Sequence, residues 1–539
     1  MAPVLPEPEV KFLPLSLVGG HAVAVAYLGF TVARSLYRSY QDLPPSQSTR
    51  KRLGRRSTLV PVFTGLALIS LAVAGYWSFS YTKLSYRVWA DQRGVQIPAR
   101  FYGDSGVIPF RSKNATRVFL ARWLTDTPVY LDALEIVAEK ARRFWWGQQI
   151  ELATVSWSLL LAVEGRRRRI PHLWAYLALA HLVNLSFAQN LFYLALLLTP
   201  TPARTKNAGG QAWIFGRLHD RVFPPKPAGW FPHPALFLAS FCFTHVLIYW
   251  APSTAGMANF ASVAIFERIL TFAPLIVPVV VPVSWGAVFS DYHETYGVVI
   301  DLFRFLSTAS FVFHVKGTAL GLSYNAPDAH YHRHSRFFPF DKESRSTWER
   351  TTTALGKVLG SASDHPVVAA VASDVLLSGV SQGLWAATRV LDVNDILASS
   401  TPLVQKRPFK AQPSAELPAG NGSSTPEAEA EPDSYDGSAS TQRQGLSAKA
   451  KSDGANIPEA FALKEPRKAR SRKATAEFGK TLEIAYNPSP VESFYGVEGD
   501  RLPDTDLDWE SAALVWGLAA LGGLGSSSAS IFGAECISR

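Results

Sequence analysis

The chain has 539 residues, a formal net charge of +10, 47% hydrophobic and 18% charged residues, and only two cysteines. Its charges stand in blocks and its apolar residues in runs of about 20, the length that spans hydrocarbon; this excludes a soluble chain with evenly spread charge. Two cysteines, Cys242 and Cys536, give no disulfide framework and no zinc cluster. The positive charge lies largely in short loops between apolar runs, so it does not call for nucleic acid.

Met1–Val10 is acidic and proline-rich and lacks the basic region of a cleavable signal, so the first apolar run reads as a retained anchor. Candidate spans follow at 12–33, 60–80, 144–163, 173–199, 234–251, 259–286, 296–315 and 511–533, and residues 366–389 either cross or do not. The expected fold is all-α, a polytopic bundle of about 8–9 transmembrane helices with a long disordered segment before the last. Residues 1–82 form an N-terminal helix pair, 83–143 a lumenal loop, 144–320 the membrane core and 321–390 a His-rich loop with the possible eighth span. The polar stretch 391–508 then leads to a small-residue helix at 509–539.

Loop charges suggest an orientation. Arg34 to Arg56, Arg166 to Arg169, and Lys316 with Arg333, Arg336, Lys342 and Arg345 all fall on the cytosolic side by alternation of the spans. The loop 83–143 then faces the lumen, where Asn114-Ala115-Thr116 is a glycosylation sequon. Such a chain belongs in the endoplasmic reticulum or another endomembrane.

Segment 127–143 carries helical signals. Thr127 suits a cap, Pro128 the first helical position, and Leu134, Val137, Ala141 and Phe144 recur on one face. Asp132, Glu135 and Glu139 line another face, which as a solvated stripe makes this an interfacial helix. Phe144-Trp145-Trp146 follows as a headgroup-level anchor.

Beyond the anchor, Gln148, Glu151, Thr154 and Ser158 share roughly one face of the third span. At ~1.5 Å per residue Glu151 sits on the order of 10 Å below the anchor. A carboxylate at that depth faces the bundle interior, is protonated or is paired, and it serves either a site or plain interhelical bonding. The fourth span groups Ser186, Gln189, Asn190 and Tyr193 on one face and His181 and Asn184 on another. The sixth holds Glu267-Arg268 before Pro274, Pro278 and Pro282, which predicts a kinked or broken helix lining a cavity. Asp301 and Arg304, three apart, predict an ion pair. His330, His332 and His334 alternate around Arg333 in a basic loop; with one cluster and no second box the solvated reading outweighs a metal site. No phosphate-binding loop, dinucleotide fingerprint or serine-nucleophile elbow is present.

The stretch Ala121-Arg122-Trp123-Leu124-Thr125-Asp126-Thr127-Pro128, continuing through Glu135 to Gln149, resembles fungal membrane proteins of secondary metabolism. So does the ending Trp509 to Arg539. The nearest group is the membrane-bound terpene cyclases of the ascofuranone and macrophorin meroterpenoid type. This resemblance implies proton-initiated cyclisation of a prenylated substrate. The resemblance assigns no catalytic residue.

The residues themselves are compatible with that chemistry, which needs a protonated acid, a dry pocket and aromatic faces for a developing cation. Glu151 is the first candidate acid, with Glu135, Glu139 and Glu267 as alternatives. Gln148, Trp145, Trp146, Trp157, His181, Asn184, Gln189 and Tyr193 are the candidate substrate-binding residues. No metal or other cofactor is required. The partners are a lipophilic small molecule from the bilayer and membrane lipids. The same polar groups also suit a transporter or an accessory membrane protein without catalysis.

Overall fold

The computed structural model describes residues 11–41, 50–95, 119–199, 226–289, 292–332, 341–344, 346–400 and 507–537, apart from isolated positions within these ranges. Asn114, His334 and most of the polar stretch 391–508, including its expected disorder, lie outside them. The described chain is helical, with two short strand pairs. Six of its helices are long and apolar enough to cross a membrane, or up to seven if one bent pair counts as a span. They support a multi-pass helical membrane protein; the expected count of eight to nine spans goes beyond what the described residues show.

The helices are α1 (Phe12–Gln41), α2 (Arg50–Gln92), α3 (Leu120–Asp126), α4 (Val129–Ala138), α5 (Ala141–Leu160), α6 (Leu173–Leu182) and α7 (Leu185–Leu198). Then come α8 (Pro234–Thr254), α9 (Phe260–Leu270), α10 (Ala273–Val280), α11 (Tyr292–Asn325), α12 (Thr347–Gly360), α13 (Pro366–Arg389), α14 (Val393–Ser400) and α15 (Trp509–Ile537). Strand β1 (Trp230–Pro232) pairs antiparallel with β2 (Gly286–Val288). Strand β3 (Ala329–His332) pairs with β4 (Asp341–Ser344).

The expected helix 127–143 is divided. Pro128, not Thr127, stands at the N-cap of α4, and Lys140 is extended (φ −121°), so α5 starts afresh at Ala141. The division turns α4 along the end of the bundle and leaves α5 free to run through it. A single π turn, Leu161–Gly165, ends α5. Helix α5 is not among the six helices apolar enough to cross, yet it is buried along most of its length.

Two runs that read as spans fold back instead. Leu173 packs on Gly165, where an added Cβ would lie 2.3 Å from its Cδ2, so α6 starts beside the end of α5. Arg168 donates to the carbonyls of Leu196 at 2.7 Å and Thr199 at 3.3 Å, so α7 ends there too. A straight helix over 173–199 would put its ends about 40 Å apart. The pair α6–α7 is therefore a hairpin that turns at Val183–Asn184, inside the bundle.

Helix α15 does the same. Gly523 breaks it with φ +78°. The Asp508 N–H donates to the Ala387 carbonyl at 3.2 Å, and Glu535 pairs with Arg389 at 3.2 Å, so both ends reach one end of α13. Across the hairpin Ser527 Oγ donates to the Val515 carbonyl at 3.0 Å. The second arm, from Leu524, is buried throughout and fills the centre of the bundle among α5, α11, α13 and α14. Small residues permit this closeness: Cβ atoms at Gly525 and Gly533 would lie 2.6 Å from Leu152 Cβ and 2.8 Å from Ser399 Cβ.

These returns change the orientation count. With α6–α7 returning, three crossings separate Arg166–Arg169 from the end of α11: α8, the bent pair α9–α10, and α11. The Lys316 end of α11 lies by Trp145, which donates to Thr318 at 2.9 Å, near the start of α5 and opposite Arg166–Arg169. Arg166–Arg169 and Lys316 therefore do not share a face, contrary to the expectation from loop charge; Arg333, Arg336 and Arg345 lie outside the described residues. The physical reason is that an apolar hairpin has the composition of a span without crossing. Residues 366–389 form one continuous helix, which runs from Asp364, paired with Arg142 at 2.7 Å, to Arg389 at the opposite face.

Candidate functional site

The polar groups in the bundle are held at the helix interruptions. Helices α9 and α10 meet at 60°, the break expected from Pro274 and Pro278. Glu267 stands just before the elbow, 3% exposed, with its Oε2 3.3 Å from Arg268 Nη1. Thr271, at the elbow, lies 2.8 Å from His181 Nε2 of α6 through its Oγ1. Glu151 of α5 faces this group: its carboxyl is close enough to feel the charges of both Glu267 and Arg268. Its Oε2 is enclosed and has no hydrogen-bond partner in the protein. A buried oxygen of that kind calls for water or a ligand. Glu151, Glu267 and His181 are thus brought together from three helices, with Arg268 as counter-charge.

The other proposed acids stand apart. Glu139 is exposed and pairs with Arg143 at 3.6 Å. Glu135 is half-buried at the loop after α8, where a Cβ at Gly256 would lie 3.7 Å from its Oε1. It is beside Asp132, whose carboxyl is pushed up by burial and then by the charge of Glu135.

The aromatic and amide residues are distributed. Trp146 Nε1 donates to the Val358 carbonyl at 3.3 Å, and Gln148 Nε2 to the Phe313 carbonyl at 3.3 Å. With Trp145, they tie α5 to α11 and α12. Trp157 lies edge-on to Phe192 at 6.2 Å, and Tyr193 stacks on Trp385 at 4.5 Å. Trp157 Nε1, the Tyr193 hydroxyl and both amide atoms of Gln189 are buried without partners. These rings pack on one another and on neighbouring helices. Glu151, Glu267 and His181 line neither of two surface hollows, of about 590 and 390 Å³.

Asn184 has a definite task at the tip of the α6–α7 hairpin. Its Oδ1 accepts the Phe187 N–H at 3.0 Å, and its Nδ2 donates to the Ser70 carbonyl at 3.2 Å. Asp374 of α13 completes the cap by accepting the N–H groups of Leu185 at 2.9 Å and Ser186 at 2.8 Å. The first-turn N–H groups of a helix have no internal partner, and a carboxylate also suits the positive helix end. Sequence reading passed over Asp374, although a lone aspartate within an apolar run was the available signal. It also passed over Glu535, whose Oε2 accepts from Trp385 Nε1 at 3.0 Å beside Arg389. The predicted pair Asp301–Arg304 does form, at 3.4 Å, and Glu267 pairs with its neighbour Arg268.

Among the described residues no group of three or more His, Cys, Asp or Glu side chains is placed to hold a metal ion. Comparison of the chain with protein-family models, with curated proteins and with solved structures finds no match.

Proposed function

We propose that the chain is a membrane-embedded terpene cyclase in which Glu151 protonates a prenylated substrate dissolved in the bilayer. The observation that supports this best is the enclosed carboxyl of Glu151, with an unpartnered oxygen beside the Glu267–Arg268 pair. Such an acid hands its proton to a terminal olefin carbon or an epoxide oxygen. The O–H electrons stay on the carboxylate while the alkene π pair forms the new C–H bond, or an oxygen lone pair takes the proton. The resulting cation is closed by the next double bond, and loss of a proton at the end leaves an isomer of unchanged mass. Arg268 holds Glu267 as a fixed counter-charge, and exclusion of water protects the cation. The resemblance of residues 121–149 to meroterpenoid cyclases points the same way.

The test is incubation of membranes containing the protein with a prenylated phenol, followed by mass spectrometry. The expected product is a cyclised isomer, and Glu151→Gln, which keeps the shape and removes the acid, lowers turnover by roughly 10²-fold or more. Full activity of that variant removes Glu151 from the mechanism.

A second reading, a transporter, is favoured by the interrupted helices, since breaks at membrane depth recur in transport sites. Reconstituted vesicles separate the two. Uptake of the prenylated phenol with no change in its structure supports transport, and an isomer formed in detergent without a second compartment supports cyclisation.

A further inference from the structure

A hollow of about 590 Å³ opens where the β1–β2 pair meets the start of α8, and Phe231, His233, Leu236, Trp285, Phe289 and Val298 line it. We propose that this groove is the docking port for the hydrocarbon chain of the membrane-dissolved substrate, which reaches it sideways from the bilayer; the proposal rests on the cyclase reading above.

The groove is built rather than incidental. Its wall is tied by Phe289 N–H to the Gly229 carbonyl at 3.0 Å, His233 N–H to the Trp285 carbonyl at 2.8 Å, and Trp230 Nε1 to the Val283 carbonyl at 2.9 Å. Two glycines make the pairing possible. Gly229 has φ +78°, and a Cβ at Gly286 would lie 2.4 Å from the Phe231 carbonyl oxygen. Lys226 lies 4.7 Å above the Trp230 ring and braces the wall from behind.

Size and lining select the occupant. The volume falls in the range of small-ligand pockets, about 300–1,000 Å³, which is too small for a folded partner. The lining is aromatic and aliphatic, and its polar side chains, His233 and Ser284, are exposed. A hydrocarbon chain therefore gains from burial here, while its polar end stays at the mouth. On the helices beside the groove, α8 exposes Leu238, Phe243 and Val246, and α10 exposes Ile276 and Val280. Exposed apolar side chains on helices of spanning length suit contact with hydrocarbon, which makes the bilayer the route of approach. Helix α10 connects its wall to the elbow at Thr271, a distance of about 12 Å for eight residues, and Glu267 stands at that elbow.

The test is photolabelling of the full-length protein in lipid nanodiscs with a prenylated phenol that carries a diazirine on its chain. The expected result is labelling of peptides 229–237 and 284–289, suppressed by unlabelled prenylated phenol and unaffected by excess phospholipid. Leu236→Trp and Val298→Trp, which fill the groove, should each reduce labelling and raise KM about fivefold or more with kcat within about twofold. Labelling confined to other peptides overturns the port. Equal labelling by a phospholipid bearing the same diazirine on its acyl chain also overturns it, because the groove then holds bulk lipid. Failure of the parent reading looks different: specific groove labelling in a protein that forms no isomer removes the cyclase and keeps the port.

Discussion

Asp374 accepts two backbone N–H groups at a helix start that no water reaches from the bilayer. An apolar replacement leaves both donors buried and unpaired, at a cost of about 1–3 kcal/mol each. Asp374→Leu is therefore expected to lower the melting temperature of the detergent-solubilised protein sharply, and Asp374→Asn, which keeps an acceptor oxygen, to lower it less. His365, just before α13, gives a pH-dependent counterpart. Its Nδ1 accepts the Val367 N–H at 3.3 Å, which requires the neutral ring. Burial, and then the charge of Arg143, holds its pKa below the usual 6.5. A group depressed in the folded state contributes stability above its unfolded value and loses it as pH falls through the folded one. Thermal stability should thus decline as pH drops below about 6.5, and His365→Asn, which can cap without titrating, should flatten that decline. At this scale the sequence was informative where charge is rare. Glu151, Glu267 and His181 stood out because ionisable groups at membrane depth are costly. Gln189 and Tyr193 stood out equally, yet pack elsewhere, because one-dimensional spacing assigns a face and not the neighbour across from it.

Helix interruptions decide which polar groups meet. The α9–α10 elbow was readable because proline removes a backbone donor. The two hairpins were not, because hydropathy measures length and composition, and both hairpin arms are as apolar as a span. Asn184 and the Gly522–Gly523 pair were the local signs: one is a good helix starter and the other supplies a positive φ. Gly523→Ala tests the second hairpin. Its Cβ would sit 2.6 Å from His314 Nδ1 in a backbone region unfavourable to L-residues, so a loss on the order of 1–3 kcal/mol is expected. Loss of stability should be visible as a lower melting temperature, whereas Gly517→Ala, which meets nothing within 4 Å, should leave it unchanged.

Across the whole molecule the two hairpins return to the face that carries Arg166–Arg169. Among the described residues α5 is the most deeply enclosed of the helices that join the two faces. Charge counting failed here because it assumed that every apolar run crosses. Cysteine labelling in a background without Cys242 and Cys536 checks the arrangement. His172→Cys and Asp392→Cys should react with an impermeant maleimide from one side, and Arg93→Cys and Lys357→Cys from the other; all four positions are exposed. Reaction of positions 172 and 392 from opposite sides would mean that α6–α7 crosses after all.

The arm from Leu524 to Ile537 is made by the ribosome after every helix that surrounds it. Leu152, Ser307, Ser310 and Gln382, which meet this arm, are therefore synthesised before the residues they pack against. Among the described residues Ser307 and Gln382 find hydroxyl partners only on this arm, at Ser526 (2.9 Å) and Ser528 (2.7 Å). Translation order thus places the plug after the helices that receive it, and a nascent chain stopped short of residue 524 lacks the hydroxyl partners of Ser307 and Gln382.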